Sequence, residues 1–380
     1  MTPRKTTLLV VNLGSSSLKF AVWQRHHLVV RGEIDHFGRQ ARITLTADRQ
    51  TTTRTMRLVS TVGALRAMEH VLRQLHLMPT DIAYRIVHGG TLFKRPTRLR
   101  SAQLRQLRRL VPLAPLHMPL ALQAITFATQ LWPSAKHWGV FDTAAYSRLP
   151  LVAKQYALPF DIVEKYHVYK YGFHGISHTW ALRQGARHLG LPVERLNAVT
   201  LHLGAGCSMT LWRHGRPVET SMGFTPLEGL AMSTRSGDID PAIPLYLQQH
   251  AKMSVRRVTR LLEQESGLFG MTGLRDMRDI LGAAGHPVTG WPRRRWSEAE
   301  RDHAHLALAL FIHDIQRYLS MYIGLLPDVR AVIWTGAIGQ NSWVRSQVIR
   351  HLPAAHGLRT VVVAADEEQA IADAVAPMVD

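Results

Sequence analysis

The stretch Asn12-Leu13-Gly14-Ser15-Ser16-Ser17-Leu18-Lys19-Phe20 follows directly on the apolar run Leu8-Leu9-Val10-Val11. Serine is a poor strand former, so one glycine and three serines between two strand-like runs read as a tight hairpin. The N–H groups and hydroxyls of such a turn face something that accepts hydrogen bonds. Glycine lets the backbone come close, and Lys19 adds a positive charge, so the expected guest is an anion such as phosphate. The stretch alone leaves an ordinary hairpin with solvent-facing serines equally open.

Half the chain later the pattern recurs. Asn12-Leu13-Gly14 leads through small residues to a second strand ending near Trp23, and His202-Leu203-Gly204 leads through Ala205-Gly206-Cys207-Ser208 to one ending near Trp212. Each half therefore opens with a strand, a glycine turn and a strand. Two such hairpins facing each other across a cleft would hold the two ends of a polyphosphate. A third turn, Thr335-Gly336-Ala337-Ile338-Gly339-Gln340-Asn341, lies between the apolar strand Ala331–Trp334 and a helical stretch. A glycine turn before a helix N-terminus favours negative charge. It is neither a Walker A loop nor a dinucleotide fingerprint.

Working outward, strand-like runs (Leu8–Leu13, Leu18–Trp23, Ile82–His88, Trp138–Phe141, Ala198–Leu203, Met209–Arg213, Ala331–Thr335, Thr360–Ala364) are interleaved with helical patterns (Val62–Leu75, Ser101–Leu110, His178–Leu189, Glu298–Ile323). That interleaving predicts an α/β fold. The 380 residues exceed one ordinary core, so two domains are expected. The single cysteine, Cys207, excludes an internal disulfide framework and suits a reducing cytoplasm. The first apolar stretch stops at Asn12, too early for a secretory signal. The richest one, Leu110–Trp132, is broken by Pro112, Pro115, His117 and Pro119, so no membrane span is expected.

The net charge of +19 raises the question of nucleic acid. Arg98, Arg100, Arg105, Arg108 and Arg109 sit on a helical pattern with Leu104, Leu107 and Val111 on one face, the layout of a solvated helix with a basic outer side. Arg293-Arg294-Arg295 precedes Ser297-Glu298-Ala299-Glu300, a capping box that opens a long helix, and reads as a loop. No zinc-finger, basic-zipper or RNA-recognition motif occurs. Specific nucleic-acid binding is not expected; weak, salt-sensitive attraction to polyanions is.

Several polar residues sit where a purely structural role is less natural. Arg85 lies inside the strand-like Tyr84–Val87 and should have an anionic partner. Asp142 ends Gly139-Val140-Phe141 and is either a helix cap or a site carboxylate. In Tyr171-Gly172-Phe173-His174-Gly175-Ile176-Ser177-His178 the two histidines could form a zinc pair on a helix, but Gly172 and Gly175 argue against a helix there. A loop histidine touching an anion fits better. In Thr234-Arg235-Ser236-Gly237-Asp238-Ile239-Asp240-Pro241, Arg235 either pairs with Asp238 or Asp240 or points into a cleft. Glu367 and Glu368 read as first-turn acids of a helix.

Taken in order, these strings resemble the acetate kinase family of carboxylate kinases, within the actin/sugar-kinase/Hsp70 superfamily. Besides those quoted, the carriers are Arg85-Ile86-Val87-His88-Gly89-Gly90, Leu113-Ala114-Pro115-Leu116-His117, Phe141-Asp142-Thr143-Ala144, Thr225-Pro226-Leu227-Glu228-Gly229 and Asp276-Met277-Arg278-Asp279. The resemblance runs nearly end to end. It implies two RNase H-like (actin-like ATPase) domains around a central cleft, with residues 1–144 and 368–380 in one and 145–367 in the other. It implies reversible phosphoryl transfer from ATP to acetate, giving acetyl phosphate and ADP, with Mg²⁺ (Mn²⁺ as a substitute), in a cytoplasmic homodimer. By motif, Asn12 and Glu367 would hold the metal, and Ser15, Ser17 and Lys19 would approach the phosphates. Arg85 would bind the carboxylate or acyl phosphate, and Asp142 would be the active-site carboxylate. His174 and Arg235 would stabilise the moving phosphoryl group. His202, Leu203, Gly204, Ala205 and Gly206 with Gly336, Ala337, Ile338, Gly339 and Gln340 would form the nucleotide loops. Asp276, Met277 and Arg278 would contact adenosine, and Val87, Leu116, Phe173 and Pro226 would line a pocket for the methyl group.

The chain departs from the family pattern at Ala205 (usually asparagine), Gln340 (glutamate), Met118 (asparagine), Tyr146 (histidine) and Ser233 (glycine). Ala205 removes a donor near the phosphates, so weaker nucleotide binding or a changed phosphoryl donor enters as an alternative. Val87 suits acetate, yet propionate differs by one methylene, worth only ~1–3 kcal/mol. A propionate kinase, or a low-turnover nucleotide-binding protein of the same fold, are the alternative readings.

Overall fold

The computed structural model describes residues 6–14, 17–35, 40–48 and 50–379. It divides into two compact units, Met1–Ser147 with His174–Ile176 and Asp366–Asp380, and Arg148–Phe173 with Ser177–Ala365.

The first unit is built on an eight-stranded sheet. Its strands are β1 (Thr7–Leu13), β2 (Ser17–Gln24), β3 (His27–Asp35), β4 (Gln40–Ala47), β5 (Gln50–Arg57), β6 (Asp81–Ile86), β7 (Thr97–Arg98) and β8 (Lys136–Phe141), in the order β5-β4-β3-β2-β1-β6-β8-β7. β1 pairs antiparallel with β2 and parallel with β6, and β6 pairs parallel with β8. A strand in this central position has both faces covered, which explains why Leu8–Val11 is apolar without alternation. Leu8 and Val10 pack with Ile371, Ala372 and Val375 of the helix Glu367–Val379. Leu9 and Val11 pack with Leu65, Met68 and Leu72 of the helix Thr61–Gln74 and with Ala124, Ile125 and Ala128 of the helix Met118–Leu131.

The broken apolar stretch Leu110–Trp132 contributes the helix Met118–Leu131, short of spanning length. Pro119 sits in the first turn of Met118–Leu131, where a missing N–H has no intrahelical partner to lose, and Pro112 lies in a 3₁₀ turn. The antiparallel meander β3–β5 was not foreseen. β5 is exposed along its whole length, so no buried face marks its sequence.

The second unit carries five strands, β9 (Ala198–Leu203), β10 (Cys207–Arg213), β11 (Arg216–Thr220), β12 (Ala331–Thr335) and β13 (Arg359–Val362), ordered β11-β10-β9-β12-β13. β9 pairs antiparallel with β10 and parallel with β12, and β12 pairs parallel with β13. This repeats the order and senses of β3-β2-β1-β6-β8. Both units are therefore RNase H-like α/β folds, and Asn12 and His202 are the next-to-last residues of their first strands. On one face, Ala181, Leu182 and Ala186 of the helix Gly175–Leu189 pack against Ala198, Ile333 and Val361. The helix Glu298–Leu325 starts at the expected capping box, with Ser297 and Glu300 bonding reciprocally, and buries Leu308, Phe311, Ile315 and Leu319. Among the described residues no helix is long and apolar enough to cross a membrane.

Candidate active site

In the first unit the ends of β1, β6 and β8 bring polar groups together. Arg85 is the next-to-last residue of β6, and Asp142 follows β8 directly. Arg85 Nη2 donates to Asp142 Oδ2 at 2.8 Å and Nε to the same oxygen at 3.1 Å, while Nη1 donates to Glu367 Oε2 at 2.8 Å. The anionic partner expected for a strand arginine is thus a pair of carboxylates. Burial opposes the charge on Arg85, but Asp142 and Glu367 outweigh it and its pKa is raised. Burial likewise pushes the Asp142 carboxyl up from its ordinary value, against the pull of Arg85. The hydrogen bonds of that carboxylate come from Arg85, which favours the site-carboxylate reading over a helix cap.

Asn12 Nδ2 donates to Glu367 Oε2 at 2.8 Å and to Glu368 Oε1 at 2.9 Å. Glu367 and Glu368 are first-turn acids as expected, and both also bind this cluster. Glu368 is buried, which raises its pKa. Lys19 lies directly opposite Asn12 across the β1–β2 ladder, so the two side chains share a face. Its ammonium lies 3.2 Å from Glu33. The turn between closes with Gly14 N donating to Ser17 O at 2.8 Å. Ser15 lies outside the described residues; Ser17 begins β2.

His174 adopts a left-handed backbone, with φ of 57°, immediately before the helix Gly175–Leu189. Gly175 N donates to the Asp142 carbonyl at 3.1 Å, and a Cβ at Gly175 would fall 2.1 Å from that oxygen. The helix can start against Asp142 only because residue 175 has no side chain. This corrects the expectation that the glycines exclude a helix here: it begins at Gly175 and includes His178. A zinc pair does not form. His178 is buried with Nδ1 2.7 Å from Thr200 Oγ1 and Nε2 2.7 Å from Ser208 Oγ, and burial, then His202, holds its pKa well below the usual imidazole value. Among the described residues no group of three or more His, Cys, Asp or Glu is arranged for a metal ion. The oxygen set of Asn12, Glu367 and Glu368 does fit a hard cation such as Mg²⁺, which takes one or two carboxylates and completes its shell with water and substrate phosphates.

The second unit holds the segments assigned to the nucleotide. Gly204, Ala205, Asp276, Met277, Arg278, Ala337, Ile338 and Asn341 line one cavity of about 410 Å³, together with Ser233. Three stretches far apart in sequence therefore converge. Gly336 makes the junction: φ is 81°, and a Cβ there would fall 2.4 Å from the Leu203 carbonyl at the end of β9. The hairpin closes with Gly204 N on Gly206 O at 3.0 Å. Asp276 caps the helix Met277–Ala283 and grips Arg278, whose Nη2 lies 2.6 Å from Oδ2; that hydrogen bonding lowers the Asp276 pKa. His202, Leu203, Gly206, Gly336, Gly339 and Gln340 are not among its lining residues; His202 Nδ1 lies 2.8 Å from Ser177 Oγ.

Arg235, in the same unit, pairs with neither Asp238 nor Asp240. Asp238 accepts from Gly229 N and Tyr318 OH, and Asp240 from Ala242 N. Arg235 Nη1 instead reaches the Pro226 carbonyl at 3.4 Å and Met232 Sδ at 3.7 Å, and among the described residues it forms no ion pair. Burial lowers its pKa. Glu263 opposes that lowering without forming an ion pair with Arg235. Of the pocket residues, Val87 is half-buried and Leu116 47% exposed in the first unit. Phe173, buried, and Pro226, half-buried, belong to the second.

The sequence reading missed Glu368 as a partner of Asn12, and Arg275 and Leu268 on the cavity beside Asp276. Glu368 was visible as one of two adjacent acids, but only the fold shows that both bind Asn12. Nothing in the sequence marks Leu268. Tyr156 also escaped notice: its hydroxyl donates to Glu228 and accepts from Phe224 N, bracing the loop that carries Pro226.

The chain matches the model of the Acetokinase family over residues 7–375. It is 38% identical over 342 residues to an acetate kinase of Sulfurovum sp., covering 88% of this chain and 83% of that one. It is 34% identical over 358 residues to an acetate kinase of Acetivibrio thermocellus, covering 91% and 86%. Among solved structures it superposes on a propionate kinase from Francisella tularensis with a TM-score of 0.87 at 30% identity, covering 97% of this chain and 98% of that one. The Porphyromonas gingivalis acetate kinase follows at 0.83 and 26%, covering 99% and 100%.

Proposed function

The chain belongs to the acetate kinase family, and from that premise we propose how its own residues move a phosphoryl group reversibly between ATP and acetate. It is an ATP-dependent phosphotransferase with a carboxyl group as acceptor. Acetate, with a pKa near ~4.3 like other carboxylates, is already an anion at neutral pH and needs no general base. The difficulty is one anion approaching another, so the protein has to supply positive charge and position.

In this reading Arg85 binds the acetate carboxylate or the acyl phosphate. Asp142 and Glu367 hold the guanidinium fork in place, so Asp142 orients and takes no proton. His174 and Arg235 carry charge for the phosphoryl group in transit. The observation that carries the proposal is Arg235, a half-buried guanidinium that forms no ion pair among the described residues and has Glu263 as its nearby acid. Desolvating a cation without a direct anionic partner is costly, and a phosphoryl group arriving at it would offset that cost. Lys19, Ser15, Ser17 and the cavity bounded by Gly204, Asp276 and Ala337 are assigned to the nucleotide. Val87, Leu116, Phe173 and Pro226 are assigned to the methyl group. Asn12 and Glu367, aided by Glu368, would hold Mg²⁺, with Mn²⁺ as a substitute. When bound, the ion screens the charge of the nucleotide phosphates.

We further propose a homodimer in the cytoplasm. Leu151, Val152, Phe160 and Tyr166 are 71%, 89%, 77% and 56% exposed, an apolar surface that association would cover.

The test is a panel of acetate, propionate and butyrate with Mg·ATP and purified protein, reading acyl phosphate as the hydroxamate. Acetate should give the highest kcat/KM. Propionate preference would favour the second reading, which the similarity to the Francisella protein supports, and absence of turnover with all three would overturn the kinase assignment.

A further inference from the structure

The helix Met277–Ala283 borders two cavities. One is the nucleotide cavity; the other, of about 460 Å³, is lined by Arg278, Arg293, Arg294 and Arg301 with Trp291 and Trp296. We propose that this second cavity is a binding site for an aromatic phosphate ester, of the nucleotide class, distinct from the site of phosphoryl transfer.

The charge of the cavity selects the ligand. Arg278 is matched by Asp276, at 2.6 Å, and Arg294 by Asp279, at 3.5 Å. Asp279 is the one acid among the lining residues, and it also accepts from Trp291 Nε1 at 2.9 Å. Arg293 and Arg301 form no ion pair among the described residues. Both are solvent-exposed, and two such guanidiniums at one concave surface can accept about two negative charges. A phosphate monoester carries about that at neutral pH, in an oxygen array that fits the guanidinium fork; a monocarboxylate leaves one arginine unmatched. The indoles supply the other half of the specificity. The Arg278 guanidinium lies 3.5 Å from the centre of the Trp291 ring and holds that indole in place at the wall. A base or phenyl ring would stack on the half-buried Trp296, which an inorganic anion cannot exploit. The volume lies in the range of small-ligand sites. This concavity also takes in Arg293 and Arg294 of the basic run, to which the transfer reaction assigns no role here.

Because Arg278 is on the walls of both cavities, the two sites are coupled, and the coupling is reciprocal. Filling the second site changes the affinity of the first for nucleotide by the same factor as the reverse.

The experiment is titration calorimetry on the whole protein at physiological salt, with the transfer site saturated by Mg·ADP. The probes are AMP, phenyl phosphate and inorganic phosphate. Wild type should take one further equivalent of AMP or phenyl phosphate and bind inorganic phosphate at least tenfold more weakly. Arg293→Ser with Arg301→Ser should weaken the organic phosphates at least tenfold while kcat and KM for ATP and acetate stay unchanged without them. A control pair on another basic helix, Arg105→Ser with Arg108→Ser, should leave binding intact. No heat with the saturated wild type, equal binding by the Arg293/Arg301 variant, or equal weakening by the control pair would each overturn the proposal. These outcomes do not depend on which carboxylate the enzyme phosphorylates.

Discussion

Arg85 and Asp142 stand at the ends of neighbouring parallel strands with Nη2 and Oδ2 2.8 Å apart, and Asp142 is 1% exposed. A carboxylate so placed is a brace for the guanidinium. Asp142→Asn should keep the shape of the pH–rate profile while kcat/KM falls about 10²-fold, as when a preorganised charge is lost. A proton acceptor behaves otherwise: removing it would abolish the acidic limb of the profile. Steady-state kinetics from pH 5.5 to 8.5 separates the two.

Arg235 should show activity and stability moving in opposite directions. It is half-buried, its guanidinium bonds only a carbonyl and a thioether, and Glu263 offsets its desolvation only in part, so charge at this position costs stability unless an anion is bound. Arg235→Met should lower kcat by about 10²–10³-fold and leave the Tm unchanged or higher. A large drop in Tm would mean that the guanidinium is a structural anchor.

The nucleotide hairpin offers a gain of function. Gly204 and Ala205 line the cavity proposed for the nucleotide, and the turn Gly204-Ala205-Gly206 has no side-chain donor at its middle position. Ala205→Asn supplies one. A single hydrogen bond is worth ~0.5–1.5 kcal/mol net, so the Kd for ADP should fall about 2–10-fold, read by calorimetry. An unchanged Kd would show that residue 205 does not face phosphate.

His88 makes stability depend on pH. It is fully buried, burial pushes its pKa down to about 4, and its Nδ1 accepts from Gly90 N at 2.9 Å. The folded state therefore binds its proton less readily than the unfolded chain, whose value is near ~6.5. Between those two values the unfolded state holds more protons, so stability rises with pH. The contribution is complete above about pH 6.5 and lost as the pH falls toward 4, in total about 3 kcal/mol. Urea unfolding of wild type and His88→Asn at pH 4.5 and 7.5 reads this as a difference in slope. Parallel behaviour of the two proteins would remove His88 as the cause.

What the sequence disclosed and what it hid follow from the range of the interactions. The strand β1, the hairpin after it and the recurrence at His202 were legible because a doubly covered strand is apolar throughout and a tight glycine turn is local. β5 was not, because a fully exposed strand of threonine and arginine bears no core pattern. Arg85 could be seen to need an anion, but its choice of both Asp142 and Glu367 depends on residues far apart in sequence. The ambiguity of Arg235 could not be settled locally either, since Asp238 is taken by Tyr318 from the long helix. The helix at Gly175 was misjudged because glycine lowers intrinsic helix propensity. Tertiary packing requires it there.

Gly175 also yields the sharpest steric prediction. Its amide bonds the Asp142 carbonyl, and a methyl at its α-carbon would sit 2.1 Å from that oxygen and 2.7 Å from Ala145 Cβ. On an isolated helix Gly→Ala stabilises by up to ~1 kcal/mol. Here the clash has to be relieved by moving the helix start away from Asp142, and overpacking of this kind costs typically ~1–3 kcal/mol. The movement also displaces His174, whose left-handed backbone is the residue before. Gly175→Ala should therefore lower the Tm and reduce kcat by more than tenfold, with the KM for ATP nearly unchanged because the nucleotide cavity is lined by other segments. Gly190→Ala is the control: glycine 190 has a positive φ, but a Cβ there would meet nothing within 4 Å, so it should lose stability without losing kcat. Equal kinetic damage from both substitutions would mean that helix stability, and not the seating of His174 on Asp142, limits the rate.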